Sequence, residues 1–233
     1  MLDTRWSLPS TPIGGGDDGD QEYFTHSCLM TYNATNMLST LKPVAETALR
    51  PVAQLLRQVH PNVLTVFGLV FPVLFFVCLM QGWYWWSLLM LILHGADMLD
   101  GMVARSQGKV TAFGAFLDST VDRFADFVVL AAFAFAGLVG WEVVAPLLML
   151  TYLISYIRSR TELAAKGKLT AAVGIIERTE RFIAIFCGLL AYAIWPAFTV
   201  YGLNLPTLAA LVLVLLSTIT VYQRIAFAYR KLK

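Results

Sequence analysis

Apolar runs separated by short polar turns dominate the chain from residue 61 onward. Six of these runs approach the roughly 20 residues that a helix needs to cross a membrane. The strict alternation that is typical of a transmembrane β-barrel strand is absent from them. The pattern therefore predicts six transmembrane helices, near residues 63–80, 84–103, 113–138, 143–159, 182–200 and 205–227.

Residues 36–60, which precede the first of these runs, have a different pattern. Leucine and valine recur there at helical spacing, and charged residues such as Lys42 and Arg50 fall on other faces. This is typical of an amphipathic helix on the inner membrane surface, with an ordinary helix on the soluble side as the alternative. Residues 1–29 are polar, which predicts a disordered tail or, alternatively, a start site upstream of the functional one at Met30. We therefore expect three parts, at residues 1–35, 36–60 and 61–233.

The composition supports a membrane protein. Of the 233 residues, 58% are hydrophobic and 14% are charged, and the mean hydropathy is +0.68. These values exclude an ordinary soluble domain and favour an all-α membrane protein, with six transmembrane helices preceded by an amphipathic juxtamembrane helix. The three cysteines, Cys28, Cys78 and Cys187, are widely spaced, which predicts neither a disulfide framework nor a zinc site.

Lysine and arginine are distributed unevenly between the two sides of the expected bundle. If the N-terminus is cytosolic, the three outer turns, near residues 81–82, 140–142 and 197–204, contain neither residue type. The positive-inside rule therefore predicts a multi-pass protein of the cell membrane with both termini in the cytoplasm. Tryptophans cluster near the same outer ends, as expected of an interfacial aromatic belt.

Polar residues that interrupt the second and third apolar runs form the pattern D-x2-D-G-x2-A-R-x8-G-x3-D-x3-D. They are Asp97, Asp100, Gly101, Ala104, Arg105, Gly114, Asp118 and Asp122. One aspartate at the centre of a transmembrane helix costs roughly 2.5–3.5 kcal/mol on insertion scales, so four of them need a compensating partner. Spacings of three and four residues place each pair on one helix face, at the cytosolic end of the bundle.

The four carboxylates suit a hard cation with oxygen ligands, Mg²⁺ or Mn²⁺, and two ions could bind. The two glycines remove side chains where the phosphates of a ligand would approach, and Arg105 supplies charge for an anion. The alternative is that the aspartates pair with arginines such as Arg105 and Arg123 and only stabilise the bundle.

This pattern resembles the signature of the CDP-alcohol phosphotransferases and matches it at every specified position. The resemblance implies a six-helix membrane enzyme, usually a homodimer, that uses two divalent metals. It also implies transfer of a phosphatidyl group from a CDP-linked lipid to an alcohol, with release of CMP. By position, the metal ligands would be Asp97, Asp100, Asp118 and Asp122. Asp122 would also be the catalytic base that deprotonates the acceptor hydroxyl.

Pro61-Asn62-Val63-Leu64-Thr65 opens the first run, and its simplest explanation is a helix start. It is also similar to the family's P-N-x-x-T entry, which contacts the cytidine nucleotide. The resemblance implies a CDP-lipid site formed by Asn62, Thr65, Gly101, Ala104, Arg105, Thr111 and Gly114.

Three further segments place basic residues at the same depth as the carboxylates. The candidates are Ser155, Arg158, Arg160, Arg178, Arg181 and Arg224. Arg224 interrupts a long apolar run, so we expect it to face the bundle interior. Several arginines near a metal site favour an anionic acceptor, most simply a phosphate monoester. The positive-inside bias with headgroup contact is the alternative explanation.

The basic segments resemble the S-Y-I-K-x-R, I-E-R-x-E-R and Q-R segments of prokaryotic phosphatidylinositol-phosphate synthases. Arg158 replaces a common lysine there, and Thr179 replaces a common proline. This resemblance implies transfer from CDP-diacylglycerol, or an ether-lipid analogue, to inositol 1-phosphate, giving phosphatidylinositol phosphate and CMP.

Two other functions remain alternatives within the family: a phosphatidylglycerolphosphate synthase and an archaetidylinositol-phosphate synthase. From another class, a divalent-cation transporter would require an acidic path across the membrane and internal repeats, which the sequence lacks. No nucleic-acid partner is expected.

Overall fold

A computed structural model describes residues 59–95, 102–104, 107–108, 111–166, 169–171 and 173–233. In these ranges the main elements are helices α1 (Pro61–Phe67), α2 (Val70–Met80), α3 (Tyr84–His94), α4 (Ala112–Phe135), α5 (Trp141–Ala164), α6 (Arg178–Ile194) and α7 (Leu205–Leu232), with strands β1 (Thr199–Val200) and β2 (Leu203–Asn204). The predicted tail and juxtamembrane helix lie outside the described residues, apart from Val59 and His60. So do Asp97, Asp100, Gly101 and Arg105.

Helices occur in all six of the apolar segments that the sequence predicts as spans. By length and composition, three helical segments of the described chain can cross a membrane, at Pro61–Met80, Trp141–Ala164 and Leu205–Leu232. Helix α3 is apolar but shorter within the described residues. The mostly helical membrane fold is therefore confirmed, and the number of six spans stays a prediction.

Local sequence explains where the helices of the candidate site begin. The backbone N–H of Asn62 donates to the His60 ring at 3.3 Å, and Pro61 occupies the first helical position of α1. The N–H of Gly114 donates to the Thr111 hydroxyl at 3.0 Å, so Thr111 caps α4. Helix α6 begins with a capping box between Glu177 and Glu180.

The helices pack as an interlocked bundle. Helix α7 packs on α5 and α6, α2 on α3 and α4, α1 on α4, and α3 on α6. Apolar side chains from all the longer helices meet in one core, among them Phe75, Leu79, Leu91, Leu147, Leu189 and Leu213. Helices α6 and α7 approach closely at Gly188, where an added Cβ would lie 2.9 Å from Ala209 Cβ.

Two connections mark one end of the bundle. The Asn204 amide donates to the Leu138 carbonyl at 2.7 Å, and the Thr207 hydroxyl donates to the same oxygen at 3.0 Å. The α4–α5 turn and the start of α7 therefore lie at the same end. Because α5 and α7 both lead away from it, Lys166 and the C-terminus lie towards the opposite end.

The fifth apolar segment ends earlier than the sequence predicts. A helix as far as Val200 is wrong, since α6 ends at Ile194 and the chain forms a β1–β2 hairpin beyond Pro196. Proline restricts the residue before it to extended backbone, which stops the helix. Tyr201 and Gly202 form the two-residue turn with φ of 52° and 77°, as a tight hairpin requires.

Candidate active site

Helix α4 carries the described part of the acidic motif. Asp118 is exposed and Asp122 is half-buried one turn further along the helix. Arg178 Nη1, from the first turn of α6, lies 2.8 Å from Asp122 Oδ1. Arg123 Nη2 lies 3.9 Å from the other oxygen of Asp122. The structure thus brings together two predicted site residues, Asp122 and Arg178, from helices far apart in the chain.

Asp126 lies one turn beyond Asp122 on α4 and was not predicted as a site residue. Asp118, Asp122 and Asp126 together form the acidic row of α4. Its carboxylate lies 3.4 Å from Arg123 Nη2, 3.7 Å from Arg178 Nε and 3.6 Å from Arg181 Nη2. The signal was present in the spacing, because Asp118, Asp122 and Asp126 repeat every four residues and share one helix face. Arg181, a predicted acceptor residue, is buried at 5% exposure beside it.

Arg123 connects this cluster to α5. Its guanidinium donates to the Ser155 hydroxyl, and its carbonyl oxygen accepts from the Tyr152 hydroxyl at 3.0 Å. Ser155, a predicted acceptor residue, therefore lies in the same cluster as the α4 carboxylates. On the α3 side, Arg178 Nη2 lies 3.4 Å from His94 Nε2.

The predicted CDP-lipid residues of α1 and α4 lie beside one another. A Cβ added to Gly114 would lie 3.1 Å from the Thr111 hydroxyl and 3.5 Å from Asn62 Oδ1. Thr65 is buried, and its hydroxyl donates to the Pro61 carbonyl at 3.2 Å. Any side chain at position 114 would narrow the space beside Asn62, which fits the predicted need for glycine. Ala104 is half-buried in a short helical stretch.

Two other predicted acceptor residues lie on the last turns of α5. Arg158 Nε donates to the Glu162 carboxylate at 3.1 Å, and that carboxylate also accepts from the Ala171 backbone N–H at 3.0 Å. Arg160 is exposed. Glu162 thus joins Arg158 at the end of α5 to the loop before α6.

Arg224 faces the bundle interior, as the sequence predicts, and is only 4% exposed. Its Nε donates to the Val173 carbonyl at 2.7 Å, and its Nη1 donates to the Ile154 carbonyl at 2.7 Å. Its Nη2 lies 3.9 Å from Glu177 Oε1. The guanidinium therefore joins α7 to α5 and to the loop that leads into α6.

A divalent cation fits the chemistry of the acidic row, whose donors are all carboxylate oxygens. Asp118 and Asp122 are spaced to present oxygens from adjacent turns of α4. Within the described ranges no three acidic, histidine or cysteine side chains gather as a metal cluster. Two of the four predicted ligands, Asp97 and Asp100, lie outside those ranges.

A cavity of about 360 Å³ opens beside the acidic row, between α3, α4 and α6. Its polar lining includes Asp126, Arg178 and Arg181, and its apolar lining includes Leu91 and Phe182. A concave space with a few convergent charged groups and an otherwise apolar wall is typical of a ligand site.

Comparison with known proteins identifies the family. The family model of CDP-alcohol phosphatidyltransferase matches residues 58–229. The chain belongs to the CDP-alcohol phosphatidyltransferase family. It is therefore a transferase, and its apolar helices make it a membrane protein of that family.

Relatives with assigned names resemble this phosphatidyltransferase over most of its length. An archaetidylinositol phosphate synthase of Pyrococcus horikoshii is 35% identical over 200 residues, which cover 84% of this chain and 99% of the relative. A phosphatidylinositol phosphate synthase of Mycolicibacterium smegmatis is 39% identical over 173 residues, covering 69% and 71%. One of Cutibacterium acnes is 34% identical over 199 residues, covering 78% and 92%.

Solved structures share the fold. The phosphatidylinositol phosphate synthase of Mycobacterium tuberculosis, in complex with manganese and citrate, matches with a TM-score of 0.66 at 27% identity, over 77% of this chain and 88% of that one. The same synthase with CDP-DAG bound matches with a TM-score of 0.65 at 27% identity, over 77% and 92%. The neighbour thus binds a divalent metal in one structure and a CDP-lipid in the other.

Proposed function

We propose that this phosphatidyltransferase transfers the phosphatidyl group of CDP-diacylglycerol to inositol 1-phosphate, giving phosphatidylinositol phosphate and CMP. The observation that carries the proposal is the contact of Arg178 with Asp122, beside Arg181 and the cavity. It places guanidinium groups, which suit phosphate, next to the proposed base. The relatives' names support the headgroup, because the archaeal and the bacterial synthases differ in the lipid part and share inositol phosphate.

In the proposed reaction, the acceptor hydroxyl oxygen forms a bond to the phosphatidyl phosphorus. The bond between that phosphorus and the CMP oxygen breaks, and CMP leaves with the electron pair. The hydroxyl proton moves to the carboxylate of Asp122, the catalytic base. Arg178 and Arg123 contact the two oxygens of this carboxylate and fix its orientation.

Metal binding by the four aspartates of the sequence motif belongs to the same proposal. Asp97, Asp100, Asp118 and Asp122 would hold two divalent cations, Mg²⁺ or Mn²⁺. Bound there, the cations would neutralise the diphosphate of the CDP-lipid. The manganese complex of the structural neighbour supports a divalent ion in this fold.

The CDP-lipid is proposed to enter between α1 and α4. Asn62, Thr65, Thr111 and Gly114 would surround the nucleotide there, because the structure places Asn62 beside Thr111 and Gly114. Ala104, Gly101 and Arg105 would complete this site from the connection that precedes α4. Glycine at position 114 keeps the space beside Asn62 free of a further side chain, which supports this proposal.

The acceptor phosphate is proposed to bind at Arg178 and Arg181. Ser155 would support them through its hydrogen bond with Arg123. Arg158, Arg160 and Arg224 would complete the acceptor site, and the carbonyl contacts of Arg224 mean that it would also hold the site's walls together.

For the whole protein we propose a homodimer with six transmembrane helices per subunit. The active site and both termini would face the cytosol, in line with the positions of lysine and arginine in the sequence. The juxtamembrane helix at residues 36–60 would lie on the same surface.

The decisive experiment incubates the purified protein with CDP-diacylglycerol and Mg²⁺ and measures CMP release and the lipid product. The acceptors are inositol 1-phosphate, unphosphorylated inositol and glycerol 3-phosphate, and a CDP-linked ether lipid is tested as a second donor. We expect the highest kcat/KM with inositol 1-phosphate. Preference for glycerol 3-phosphate would replace the proposal with a phosphatidylglycerolphosphate synthase, and preference for the ether lipid would replace its donor.

Asp118→Asn tests the proposed metal site, with Glu142→Gln as its matched control. We expect Asp118→Asn to lose CMP release with every acceptor, because an amide ligates a hard cation weakly, while it elutes as a folded protein. Glu142→Gln changes a carboxylate near the other end of α5 and should retain activity. Full activity of Asp118→Asn at saturating Mg²⁺ would contradict the metal site.

A further inference from the structure

Two arginines occupy a position where their charge opposes the helix dipole. Arg178 and Arg181 lie in the first turn of α6, and the N-terminus of a helix carries a partial positive charge. Glu177 and Glu180 of the same turn are engaged in the capping box, in which the Glu177 N–H donates to the Glu180 carboxylate at 2.9 Å. The carboxylate charge in contact with the two guanidinium groups comes from another helix, α4.

Asp126 supplies that charge. It contacts Arg178 Nε at 3.7 Å and Arg181 Nη2 at 3.6 Å, and its side chain is only 15% exposed. Arg123 also faces it, at 3.4 Å. Three guanidinium groups that would repel one another are thus gathered around one partly buried carboxylate, where charges interact more strongly than in water.

The geometry divides the work between neighbouring carboxylates. Asp126 takes the Nε side of Arg178, while Nη1 of the same guanidinium reaches Asp122 at 2.8 Å. Asp126 and both arginines line the cavity of about 360 Å³. Loss of the Asp126 charge would remove one of the two carboxylate contacts of Arg178 described above and the carboxylate contact of Arg181.

We propose that Asp126 is a positioning residue that orients Arg178 and Arg181 towards the phosphate of the acceptor alcohol. This inference rests on the proposed function, since it takes the phosphorylated acceptor as the ligand of those arginines. In this proposal Asp126 binds neither substrate directly. It acts through the guanidinium groups, so its effect belongs to the acceptor and not to the CDP-lipid.

The test is steady-state kinetics of Asp126→Asn, with acceptor and CDP-diacylglycerol varied in turn. We expect the acceptor KM to rise roughly tenfold, the effect of one charge-assisted contact, while the CDP-lipid KM stays within about twofold. Asp126→Glu keeps the charge and should recover part of the loss. Glu142→Gln, a carboxylate change at the other end of α5, should leave both constants unchanged.

A purely structural role gives a different result. It would lower kcat or the folded fraction and leave the acceptor KM of the remaining enzyme unchanged, which would overturn the proposal. A lower acceptor KM would also overturn it, because Asp126 would then compete with phosphate for the arginines.

A double variant keeps the proposal testable if Asp126→Asn does not fold. Asp126→Asn combined with Arg181→Gln removes both charges of one pair and leaves no unpaired partner at position 181. If Asp126 acts partly through Arg181, the double variant should lose less acceptor affinity than the two single effects combined. Should Asp126→Asn fail to fold, the comparison of the double variant with Arg181→Gln decides: a further tenfold rise in both substrate KM values would overturn the proposal.

The proposed function can fail separately. If the wild-type enzyme prefers glycerol 3-phosphate, the same kinetics are run with that acceptor, and a selective rise in its KM still supports Asp126. If the wild type uses only unphosphorylated alcohols, both proposals are overturned.

Discussion

Single residues of the candidate site contact more than one partner. Arg178 reaches Asp122, Asp126 and His94, and Arg123 reaches both carboxylates and Ser155. A charge removed from such a cluster leaves its partners partly uncompensated in a half-buried setting, so the effect exceeds that of an exposed ion pair. The arginines of the site should therefore differ sharply in their importance.

Arg181 and Arg160 provide a test of that difference. Arg181 is buried against Asp126, whereas Arg160 is exposed. Arg181→Gln should raise the acceptor KM about ten- to hundredfold, the value of a charge-assisted hydrogen bond of about 1.5–3 kcal/mol, and Arg160→Gln should have a smaller effect.

The measurement for these variants is KM for each substrate, with Lys231→Gln as a control that removes one exposed positive charge outside the candidate site. Equal KM values for Arg181→Gln and Lys231→Gln would contradict the acceptor role of Arg181.

The burial of a residue can follow from the sequence when its contact partners do not. Arg224 interrupts an apolar run, so its burial follows from the cost of a charge in lipid. The partners of Arg224 do not follow, because the Ile154 and Val173 carbonyls are backbone groups that any sequence carries. Asp126 was visible in the four-residue spacing, but its contacts with Arg178 and Arg181 depend on how α4 and α6 pack.

At the scale of helices, small residues decide how closely neighbours approach. In a membrane, close packing replaces part of the hydrophobic driving force, and glycine permits it. Gly188 of α6 meets α7, where an added Cβ would lie 2.9 Å from Ala209 Cβ and 3.6 Å from Pro206 Cα.

We expect Gly188→Leu to destabilise the protein by about 1–3 kcal/mol, the usual cost of overpacking. Thermal unfolding in detergent measures this as a lower midpoint. Cys187→Leu is the matched control, because Cys187 is the preceding residue on α6 and is exposed. A midpoint equal to that of Cys187→Leu would contradict the prediction, because α6 and α7 would then accommodate the larger side chain without loss of stability.

Element boundaries followed the sequence where a local signal marked them. Pro61 starts α1, as the sequence predicts. Thr111 caps α4, a role that was not predicted for it. The hairpin after α6 was missed, because its two-residue strands are too short for an alternating pattern to be recognised.

At the scale of the molecule, the two ends of the bundle differ chemically. The Leu138 carbonyl and the hairpin mark one end, near Trp141 and Trp195, while Arg224 and the end of α5 lie towards the other. The sequence predicted this division from charge alone, since lysine and arginine keep to one side. It could not predict which helices are neighbours, because the apolar faces look alike.

Topology can be measured by cysteine labelling in a variant that lacks the three native cysteines. Tyr201→Cys, at the fully exposed hairpin tip, should react with a membrane-impermeant reagent in intact cells. Lys166→Cys, beyond the end of α5, should react only after the membrane is opened. Labelling of Lys166→Cys in intact cells would contradict the predicted orientation and show that it is reversed.

The contacts of Arg224 have a consequence for the insertion of α7 into the membrane. The residues that receive its guanidinium, Ile154, Val173 and Glu177, all precede α7 in the chain. During synthesis they therefore leave the ribosome before the last helix does. An unpaired arginine makes a helix costly to release into lipid, and the groups that pair with Arg224 are synthesised before it. We therefore expect membrane insertion of α7 to depend on these earlier segments.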